Sequence, residues 1–295
     1  MLNPSNISCF SRRLLLIAGC AGVLALSARS AQAQQGPVAN DAQSGNFLGF
    51  DRNIYPGDAA LPVLRKTFSF TGFWISPPPG ETSNTWIGKR SKLREQGFGF
   101  VVLYRGREER ELKTLAQAAT AGASEARDGA ANAKREGFAA GTIVFLDIEE
   151  GGRLSPAYHA YLRSWADTLI AAGYRPGVYC SAIPVSEGHG VTITTVDDVR
   201  SNEAPREFSY WVYNDACPPA PGCATKLNAP SPAKSGTPYA AVWQFAQSPR
   251  QKEYTAKCAA TYARDGNCYA PGDTARAWFL DLNSATSADP SGGAK

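Results

Sequence analysis

Three carboxylates follow an apolar segment near the middle of the chain. Residues 141–152 read GTIVFLDIEEGG, so a run of β-branched and aromatic side chains ends at Asp147, Glu149 and Glu150, followed by two glycines. This pattern is typical of a buried parallel strand that ends at an open face of a sheet. Because side chains alternate along a strand, we predict Asp147 and Glu149 on one face and Glu150 on the other.

The spacing of Asp147 and Glu149 suits acid–base chemistry on a glycosidic bond. Carboxyl groups two residues apart on one strand face lie roughly 6–7 Å apart, which leaves room for a substrate atom or a water molecule. Two acids this close do not ionise independently, so we expect one of them to keep its proton to a higher pH than an isolated carboxyl group. An acidic surface loop is the alternative interpretation of this segment.

The elements that must position these acids alternate between strands and helices. The predicted strands are 47–51, 70–75, 98–105, 143–150, 175–181, 208–213, 239–245 and 278–283. The predicted helices are 58–66, 87–96, 114–136, 155–172 and 195–202. Eight strands, with helices between most of the early ones, predict an α/β fold: a (β/α)8 TIM-type barrel in a single domain, irregular in its C-terminal half.

An open doubly wound sheet is the structural alternative. A nucleotide-binding sheet of that kind needs a glycine-rich phosphate loop after its first strand, and the chain has Asp51-Arg52-Asn53 there. We therefore predict a barrel domain at 47–285, preceded by a flexible segment at 34–46 and followed by a disordered tail at 286–295.

In a barrel of this type the chemistry lies at the carboxyl ends of the strands. Acids are predicted there on the first, fourth and eighth strands, with Asp51, Asp147 and Glu149 as the candidate catalytic residues. The candidate substrate-binding residues are Asp281, Trp74, Tyr104, Arg105, Tyr179, Trp211, Tyr213, Trp243 and Gln244. Aromatic faces stack on sugar rings while carboxylates and amides bind hydroxyl groups, so we predict a carbohydrate cleft. Each aromatic residue taken alone is equally consistent with barrel packing.

The first 33 residues have the composition of an export signal. They contain three arginines and no acidic residue, include an apolar run at 14–26, and end in Ala-Gln-Ala. Residues 11–16 also fit a twin-arginine signal. Cys20 lies in a segment that resembles a lipoprotein cleavage box, but a long apolar run follows it, so we favour cleavage after Ala33. We expect a periplasmic or extracellular protein.

Charge and hydropathy exclude several partners. The three arginines of the signal account for a fall in formal charge from +4 to +1 in the mature chain, and a near-neutral chain is not expected to bind nucleic acid. No later segment has 18 uninterrupted apolar residues, so we expect no transmembrane segment in the mature protein. We also expect no cofactor and no bound metal, and a monomer.

Five of the seven cysteines lie beyond the predicted signal. Cys217 and Cys223 flank a Pro-Pro-Ala-Pro-Gly loop, and Cys258 and Cys268 flank a Gly-Asn turn. In an exported chain, pairs this close in sequence predict two local disulfides. Cys180 lies inside a predicted strand and is expected to be a free thiol in the core.

Five motifs occur in an order that resembles glycoside hydrolase family 25, the lysozyme-type muramidases. They are Gly49-Phe50-Asp51, Phe145-Leu146-Asp147-Ile148-Glu149, Gly177-Val178-Tyr179, Trp243-Gln244-Phe245 and Leu280-Asp281-Leu282-Asn283. The chain is more similar to a glycoside-hydrolase-like barrel family, domain of unknown function 1906, found in exported bacterial proteins. The Gly-Phe-Asp start, a helix ending Glu-Gly-Phe and the segment Gly-Tyr-Arg-Pro-Gly-Val-Tyr carry that second resemblance, which covers about residues 47–285.

The resemblance implies roles for the acids. Glu149 would be the general acid, and Asp147 would stabilise the transition state or position an N-acetyl group of the substrate. Asp51 and Asp281 would line the same cleft. The chain departs from the muramidase pattern at Arg52-Asn53, directly after the first strand. The implied function is binding and hydrolysis of a cell-wall (peptidoglycan-type) or related polysaccharide.

Two other functions remain open on the sequence. The first is a non-catalytic glycan-binding barrel that keeps the cleft. The second is a metal-dependent phosphodiester hydrolase in which Asp51, Asp147 and Glu149 hold a divalent cation through oxygen ligands.

Overall fold

The computed structural model of the chain describes residues 45–217, 229–247 and 280–295. The strands are β1 (Phe47–Asp51), β2 (Phe70–Trp74), β3 (Gly99–Arg105), β4 (Ile143–Asp147), β5 (Arg175–Ser181), β6 (Val185–Gly188), β7 (Val191–Ile193), β8 (Ser209–Cys217), β9 (Val242–Ala246) and β10 (Asp281–Ala285). The α-helices are α1 (Leu61–Leu64), α2 (Arg90–Glu95), α3 (Leu115–Arg135), α4 (Pro156–Ala171) and α5 (Thr195–Glu203).

Eight of these strands close into a barrel in the order β1-β10-β9-β8-β5-β4-β3-β2, with the helices outside. The predicted α/β barrel is therefore confirmed. The strands β6 and β7 form a separate hairpin that the sequence analysis did not predict. These strands have only four and three residues and are mostly exposed, so they are too short to show the apolar alternation by which strands are recognised.

One strand of the barrel runs in the opposite direction to its neighbours. β10 pairs antiparallel with both β1 and β9, whereas β8 and β9 pair parallel like the earlier strands. Asp281, the first residue of β10, lies opposite Asp51, the last residue of β1. Asp281 thus reaches the open end of the barrel from the start of its strand, and not from a carboxyl end as the sequence pattern predicted.

Glycines make room for aromatic rings inside the barrel. A Cβ atom at Gly49 would collide with the ring of Phe70, and one at Gly177 would lie 2.6 Å from the ring of Phe145. These contacts show which face of each strand points inward. Because side chains alternate, Asp51 of β1, Asp147 of β4 and Tyr179 of β5 share the inward face with these contacts.

The two long helices are capped and packed as their sequences indicate. The side chains of Thr114 and Ser155 accept hydrogen bonds, both at 3.2 Å, from the backbone N–H three residues further along. Pro156 occupies the first turn of α4. Gly122 of α3 lies directly against the backbone of Tyr161 of α4, where a Cβ atom would collide. The pair forms one wall outside β3 to β5.

The last ten residues pack against the amino-terminal ends of β3 and β4, which corrects the prediction of a disordered tail. Ile143 N–H donates to the Ser291 carbonyl (2.9 Å), and Ser291 N–H donates to the Phe100 carbonyl (2.8 Å). The Ser291 hydroxyl also accepts from Val102 N–H (2.9 Å). These contacts satisfy backbone groups where two strands begin. The small polar residues of this segment gave no apolar pattern from which the packing could be predicted.

Arg90 of α2 holds the tail from the other side. Its Nη2 donates to the carbonyls of Gly293 (2.6 Å) and Lys295 (2.7 Å). Its guanidinium lies 4.8 Å from the centre of the Phe138 ring, and the residue is only 6% exposed. A buried, fully charged side chain therefore ties the tail to the barrel.

The cysteine predictions are tested only at Cys180. This residue is buried and free, as predicted, and burial raises the pKa of its thiol. The side chains of the four cysteines assigned to local disulfides lie outside the described residues, so those pairs stay predictions.

The predicted signal peptide at 1–33 and most of the segment at 34–46 also lie outside the described residues. Within the described part of the chain, no helix combines the length and apolar composition needed to cross a bilayer.

Replacing Arg90 by Met tests the role of this anchor. Arg90→Met should lower the free energy of unfolding by about 1.5–3 kcal/mol, because buried carbonyls lose a charged donor. Arg94→Met is the matched control: Arg94 lies on the same helix and is exposed, so a change within about 0.5 kcal/mol is expected. Urea unfolding of both variants measures the difference, and equal stabilities would contradict the anchor.

Candidate active site

A network of hydrogen bonds surrounds Asp51 at the open end of the barrel. Its Oδ1 accepts from Asn283 Nδ2 (2.6 Å) and from Gln244 Nε2 (3.0 Å). The two amides are held in turn by aromatic donors. Trp211 Nε1 donates to Asn283 Oδ1 (2.9 Å), and the Tyr179 hydroxyl donates to Gln244 Oε1 (2.8 Å). Residues from β1, β5, β8, β9 and β10 are thereby joined in the barrel interior.

Hydrogen-bond partners determine how both amides are oriented. The indole N–H of Trp211 can only donate, so it selects the Asn283 oxygen. The Asp51 carboxylate can only accept, so it takes the Gln244 nitrogen and leaves the Gln244 oxygen to the Tyr179 hydroxyl. The amide nitrogens then face Asp51, whose carboxylate accepts from both. Asp51 is only 7% exposed. The network therefore presents Asp51 as a fixed, buried hydrogen-bond acceptor.

The charges of four carboxylates affect the pKa of the Tyr179 hydroxyl. Burial raises the pKa of the Tyr179 hydroxyl well above its ordinary value, and the negative charges of nearby carboxylates raise it further. The four are Asp51, Asp147, Glu149 and Asp281. All four acids predicted to share a cleft are therefore brought around one buried tyrosine.

The loop after β4 separates its two glutamates. β4 ends at Asp147, three residues earlier than predicted, and Glu149 is exposed while Asp147 is buried. Glu150 Oε1 accepts from the Glu109 backbone N–H (2.6 Å). Burial raises the pKa of Tyr158 most, and the charges of Asp147 and Glu150 raise it further. The charge of Glu149 acts on Tyr179 and Tyr213 in the barrel, so the two glutamates have different surroundings.

Aromatic rings line the cleft beside Tyr179. The ring of Trp211 lies 4.8 Å from that of Tyr179, at a steep angle, and the ring of Tyr213 lies 5.2 Å away, tilted by 32°. Burial raises the pKa of Tyr213, and the charges of Glu149 and Asp147 also act on it. The three rings form a wall next to the carboxylates.

Strand β2 contributes two features to the site: space for Asp51 at Gly72 and an indole N–H donor on Trp74. A Cβ atom at Gly72 would lie 2.6 Å from the Asp51 Cβ, so the absence of a side chain there admits Asp51. Trp74 lies two residues further along and thus shares the inward face of β2. It is 4% exposed, and its indole N–H has no hydrogen-bond partner within the described part of the chain.

Two predicted substrate-binding residues, Tyr104 and Trp243, point away from this cluster. The Tyr104 hydroxyl donates to Asp128 of α3 (3.0 Å), outside the barrel. Trp243 Nε1 donates to the Asn214 carbonyl (3.2 Å) on the face of β9 opposite Gln244. The sequence analysis selected both by position at a strand end without applying the alternation of side chains. Arg105, which pairs with Asp147 across β3 and β4, is exposed and lines a recess of about 250 Å³ beside the end of β3.

A buried charge cluster that the sequence analysis missed lies between α4 and α5. His159 Nδ1 lies 2.8 Å from Glu203 Oε1, and His159 Nε2 lies 3.0 Å from Asp198 Oδ2. The side chain of Asp198 is fully buried, and that of Glu203 is 1% exposed. The sequence predicts a helix at 155–172 and another at 195–202, but not the packing of the two helices that brings these side chains together.

This cluster also holds the loop that carries Glu149. Asp198 Oδ2 accepts from Leu154 N–H (2.9 Å), and Asp198 Oδ1 lies 3.3 Å from Arg153 Nη1. Thr195 Oγ1 donates to the Glu150 carbonyl (3.1 Å). Helix α5 therefore positions both ends of the loop between β4 and α4.

Among the described residues, no group of three or more His, Cys, Asp or Glu side chains is arranged to hold a metal ion. The carboxylates at the open end are instead interleaved with amides and aromatic rings. This donor set suits the hydroxyl groups and ring faces of a saccharide.

Comparison with known families identifies one match. A model described as "Rv2525c-like, glycoside hydrolase-like domain" matches residues 75–256, more than half of the chain. No curated protein matches the chain.

Several solved structures are similar to this one. An uncharacterized protein from B. stearothermophilus is 21% identical, with a TM-score of 0.52, over 81% of this chain and 95% of that chain. The Tat-secreted protein Rv2525c of Mycobacterium tuberculosis, in complex with L-tartrate, is 16% identical, with a TM-score of 0.48, over 82% and 95%. The bacterial lysozyme from Streptomyces coelicolor is 12% identical, with a TM-score of 0.47, over 83% and 94%. The first of these supports the barrel fold.

Substitution of Gly72 tests the space beside Asp51. Gly72→Ala should lower the free energy of unfolding by about 1–3 kcal/mol, because the new methyl group overlaps the Asp51 side chain. The control is Gly45→Ala, since a Cβ atom there meets nothing within 4 Å. Thermal unfolding compares the two variants, and a neutral Gly72→Ala would mean that Asp51 is not confined by β2.

Substitution of His159 tests the charge cluster. His159→Leu should destabilise the fold by about 3–5 kcal/mol, because two buried carboxylates lose the group that bridges them. Arg163→Gln is the control: its side chain is 44% exposed and reaches Glu203 only from the surface (3.3 Å), so the loss should stay below about 1 kcal/mol. Denaturant unfolding would contradict the cluster if the two variants were equally stable.

Proposed function

The chain belongs to the family of Rv2525c-like, glycoside hydrolase-like domains, and on that premise we propose that it binds and hydrolyses a cell-wall, peptidoglycan-type polysaccharide. The observation that carries the proposal is strand register: Asp51 lies opposite Asp281 across β1 and β10, and Asp147 lies beside Tyr179 across β4 and β5, two residues before Glu149. Hydrolysis of a glycosidic bond requires a proton donor and a second carboxylate within one cleft.

Glu149 is the proposed general acid. It is exposed at the mouth of the cleft, where it can reach the oxygen of a leaving sugar. Asp147 is only 4% exposed and is the proposed stabiliser of the positive charge that develops on the sugar ring. Substrate-assisted attack by an N-acetyl group and attack by a direct nucleophile both fit a retaining outcome.

Asp51 is the proposed anchor of the substrate. Its Oδ1 is already held by two amide donors, so the carboxylate cannot rotate freely and presents a constant geometry to hydroxyl or N–H groups. Tyr213, which is partly exposed, would supply a face for stacking on a sugar ring, with the buried Trp211 packed behind Tyr179. Trp74 adds a buried indole N–H that can donate to a ligand oxygen.

A non-catalytic glycan-binding barrel is the second candidate, and the exposure of Glu149 favours it. A general acid working near neutral pH needs a raised pKa, and burial is the strongest way to raise it. An exposed glutamate receives this contribution only when substrate covers it. The two candidate functions differ in whether a bound glycan covers Glu149 and thereby raises its pKa enough for it to act as the general acid.

We also propose that the protein is exported by the signal at 1–33 and acts as a monomer. The domain would then run from 47 to the end of the ordered tail, with 34–46 as a flexible segment after the signal.

Paired substitutions test the acid. Glu149→Gln keeps the size and polarity of the side chain but removes the proton, so turnover of peptidoglycan should fall by about 10²–10⁴-fold with little change in glycan affinity. Glu150→Gln is the control, because Glu150 faces the Glu109 backbone on the other side of the loop. Reducing-sugar release measures turnover, and pull-down with insoluble peptidoglycan measures binding.

The same assays distinguish the rival functions. Equal losses in the two variants would contradict the assignment of Glu149. Wild-type protein that binds glycans but turns over none of a broad panel would identify a binding barrel. Activity on a phosphodiester that a chelator abolishes and a divalent metal restores would identify the third, metal-dependent function.

A further inference from the structure

A second concave surface lies on the flank of the barrel, near the amino-terminal ends of β5 and β8. This groove has a volume of about 630 Å³ and is bounded by the end of α4 and the segment that leads from α5 into β8. Arg175, at the start of β5, lines it, while Tyr179, four residues or about 13 Å further along the strand, lies among the carboxylates. The groove is therefore separate from the candidate active site.

The groove carries an excess of positive charge. Three arginines line it, Arg175, Arg200 and Arg206, against one acid, Glu207. Arg206 forms an ion pair with Asp167, in which Nε and Nη2 each donate to a carboxylate oxygen at 2.7 Å. Arg175 and Arg200 are exposed, and neither has a carboxylate within ion-pair distance among the described residues. Two guanidinium groups are thus available to an anionic ligand.

Arg200 is held in a defined orientation. Its guanidinium carbon lies 3.8 Å from the centre of the Tyr239 ring, and the Tyr239 hydroxyl is fixed by a 2.7 Å hydrogen bond to Asp197. The ring of Tyr239 confines the guanidinium, while the Arg200 side chain stays exposed. Such a preorganised fork binds a carboxylate or phosphate with little loss of side-chain entropy.

The rest of the lining is apolar or aromatic. Tyr174, Phe208, Tyr210, Pro176 and Pro205 surround the arginines. A bare phosphate ion would leave most of this volume unfilled, whereas pockets of this size bury ring-containing molecules. The rings of Tyr210 and Tyr239 meet at 75°, and Arg200 covers one face of Tyr239. The groove thus offers no parallel aromatic slot for a nucleobase.

We propose that this groove is a second, non-catalytic binding site for acidic sugars. An oxyanion on the sugar, a carboxylate or a phosphate, would bind Arg175 and Arg200, and the sugar ring would pack on Tyr210. The site would retain the protein on an acidic polysaccharide independently of the cleft at the other end of the barrel. This inference does not depend on the proposed hydrolysis.

Ligand titration of the mature chain by NMR tests the site. The probes are glucuronic acid, glucose 6-phosphate, neutral glucose, inorganic phosphate and AMP. Wild-type protein should bind the two acidic sugars, with affinity falling as salt is added, and should bind glucose at least 10-fold more weakly. Comparison of glucuronic acid with glucose 6-phosphate shows which oxyanion is preferred.

Four variants locate the binding. Arg200→Gln and Arg175→Gln should each weaken the acidic sugars by about 10-fold or more, since each removes a charge-assisted contact. Arg127→Gln is the matched control, because Arg127 is an exposed arginine of α3 outside the groove. Glu149→Gln should leave this binding unchanged, which separates the groove from the cleft.

Several outcomes would overturn the proposal. One is that no acidic sugar binds, or that Arg200→Gln binds as tightly as wild type. Another is that inorganic phosphate alone binds as well as glucose 6-phosphate, which would reduce the groove to an anion site. Tighter binding of AMP than of either sugar would assign the groove to nucleotides instead.

Discussion

A carboxylate inside a barrel is stable only when hydrogen-bond donors replace the water it has lost, and Asp51 shows how this chain meets that constraint. Asn283 and Gln244 supply the donors, and Tyr179 and Trp211 hold the two amides. The network joins β1 to β10, β9, β8 and β5, so the closure of the barrel and the geometry of its open end depend on the same contacts. The reversed direction of β10 follows the same arrangement, since it brings Asp281 opposite Asp51.

The four acids at the open end differ in solvent exposure, and the proposed function gives them different roles. Asp51 and Asp147 are buried, whereas Glu149 projects from a loop into solvent. A buried carboxylate keeps a fixed position and acts strongly on nearby charge, while an exposed acid can exchange protons with water. Helix α5 limits the movement of the exposed acid, because Asp198 and Thr195 hold both ends of its loop. In the proposed function, the buried acids hold the substrate in position and the exposed acid transfers the proton.

The barrel has two ends with different chemistry. The open end collects carboxylates, amides and aromatic rings, and the opposite end is covered by the tail that Arg90 anchors. The arginine-lined groove lies on the flank near that second end. A cleft rich in acids attracts cationic or neutral groups, whereas the groove attracts anionic ones. Because the two surfaces are opposite in charge, they can contact chemically different parts of one polymer.

The sequence by itself determined the barrel, the order of its eight strands and the family, because apolar periodicity and short motifs such as Gly-Phe-Asp and Asp-Ile-Glu are local properties of the chain. It also predicted a site from Asp51, Asp147, Glu149, Tyr179, Trp211 and Gln244, since position at the end of an apolar strand is readable from the residues alone. Only the tertiary structure decided that Tyr104 and Trp243 face away from the cleft, that β10 is antiparallel, and that the tail packs beneath β3. It also decided that His159 joins Asp198 and Glu203. These features depend on strand register and on contacts between residues distant in sequence, and neither leaves a periodic signal in the chain.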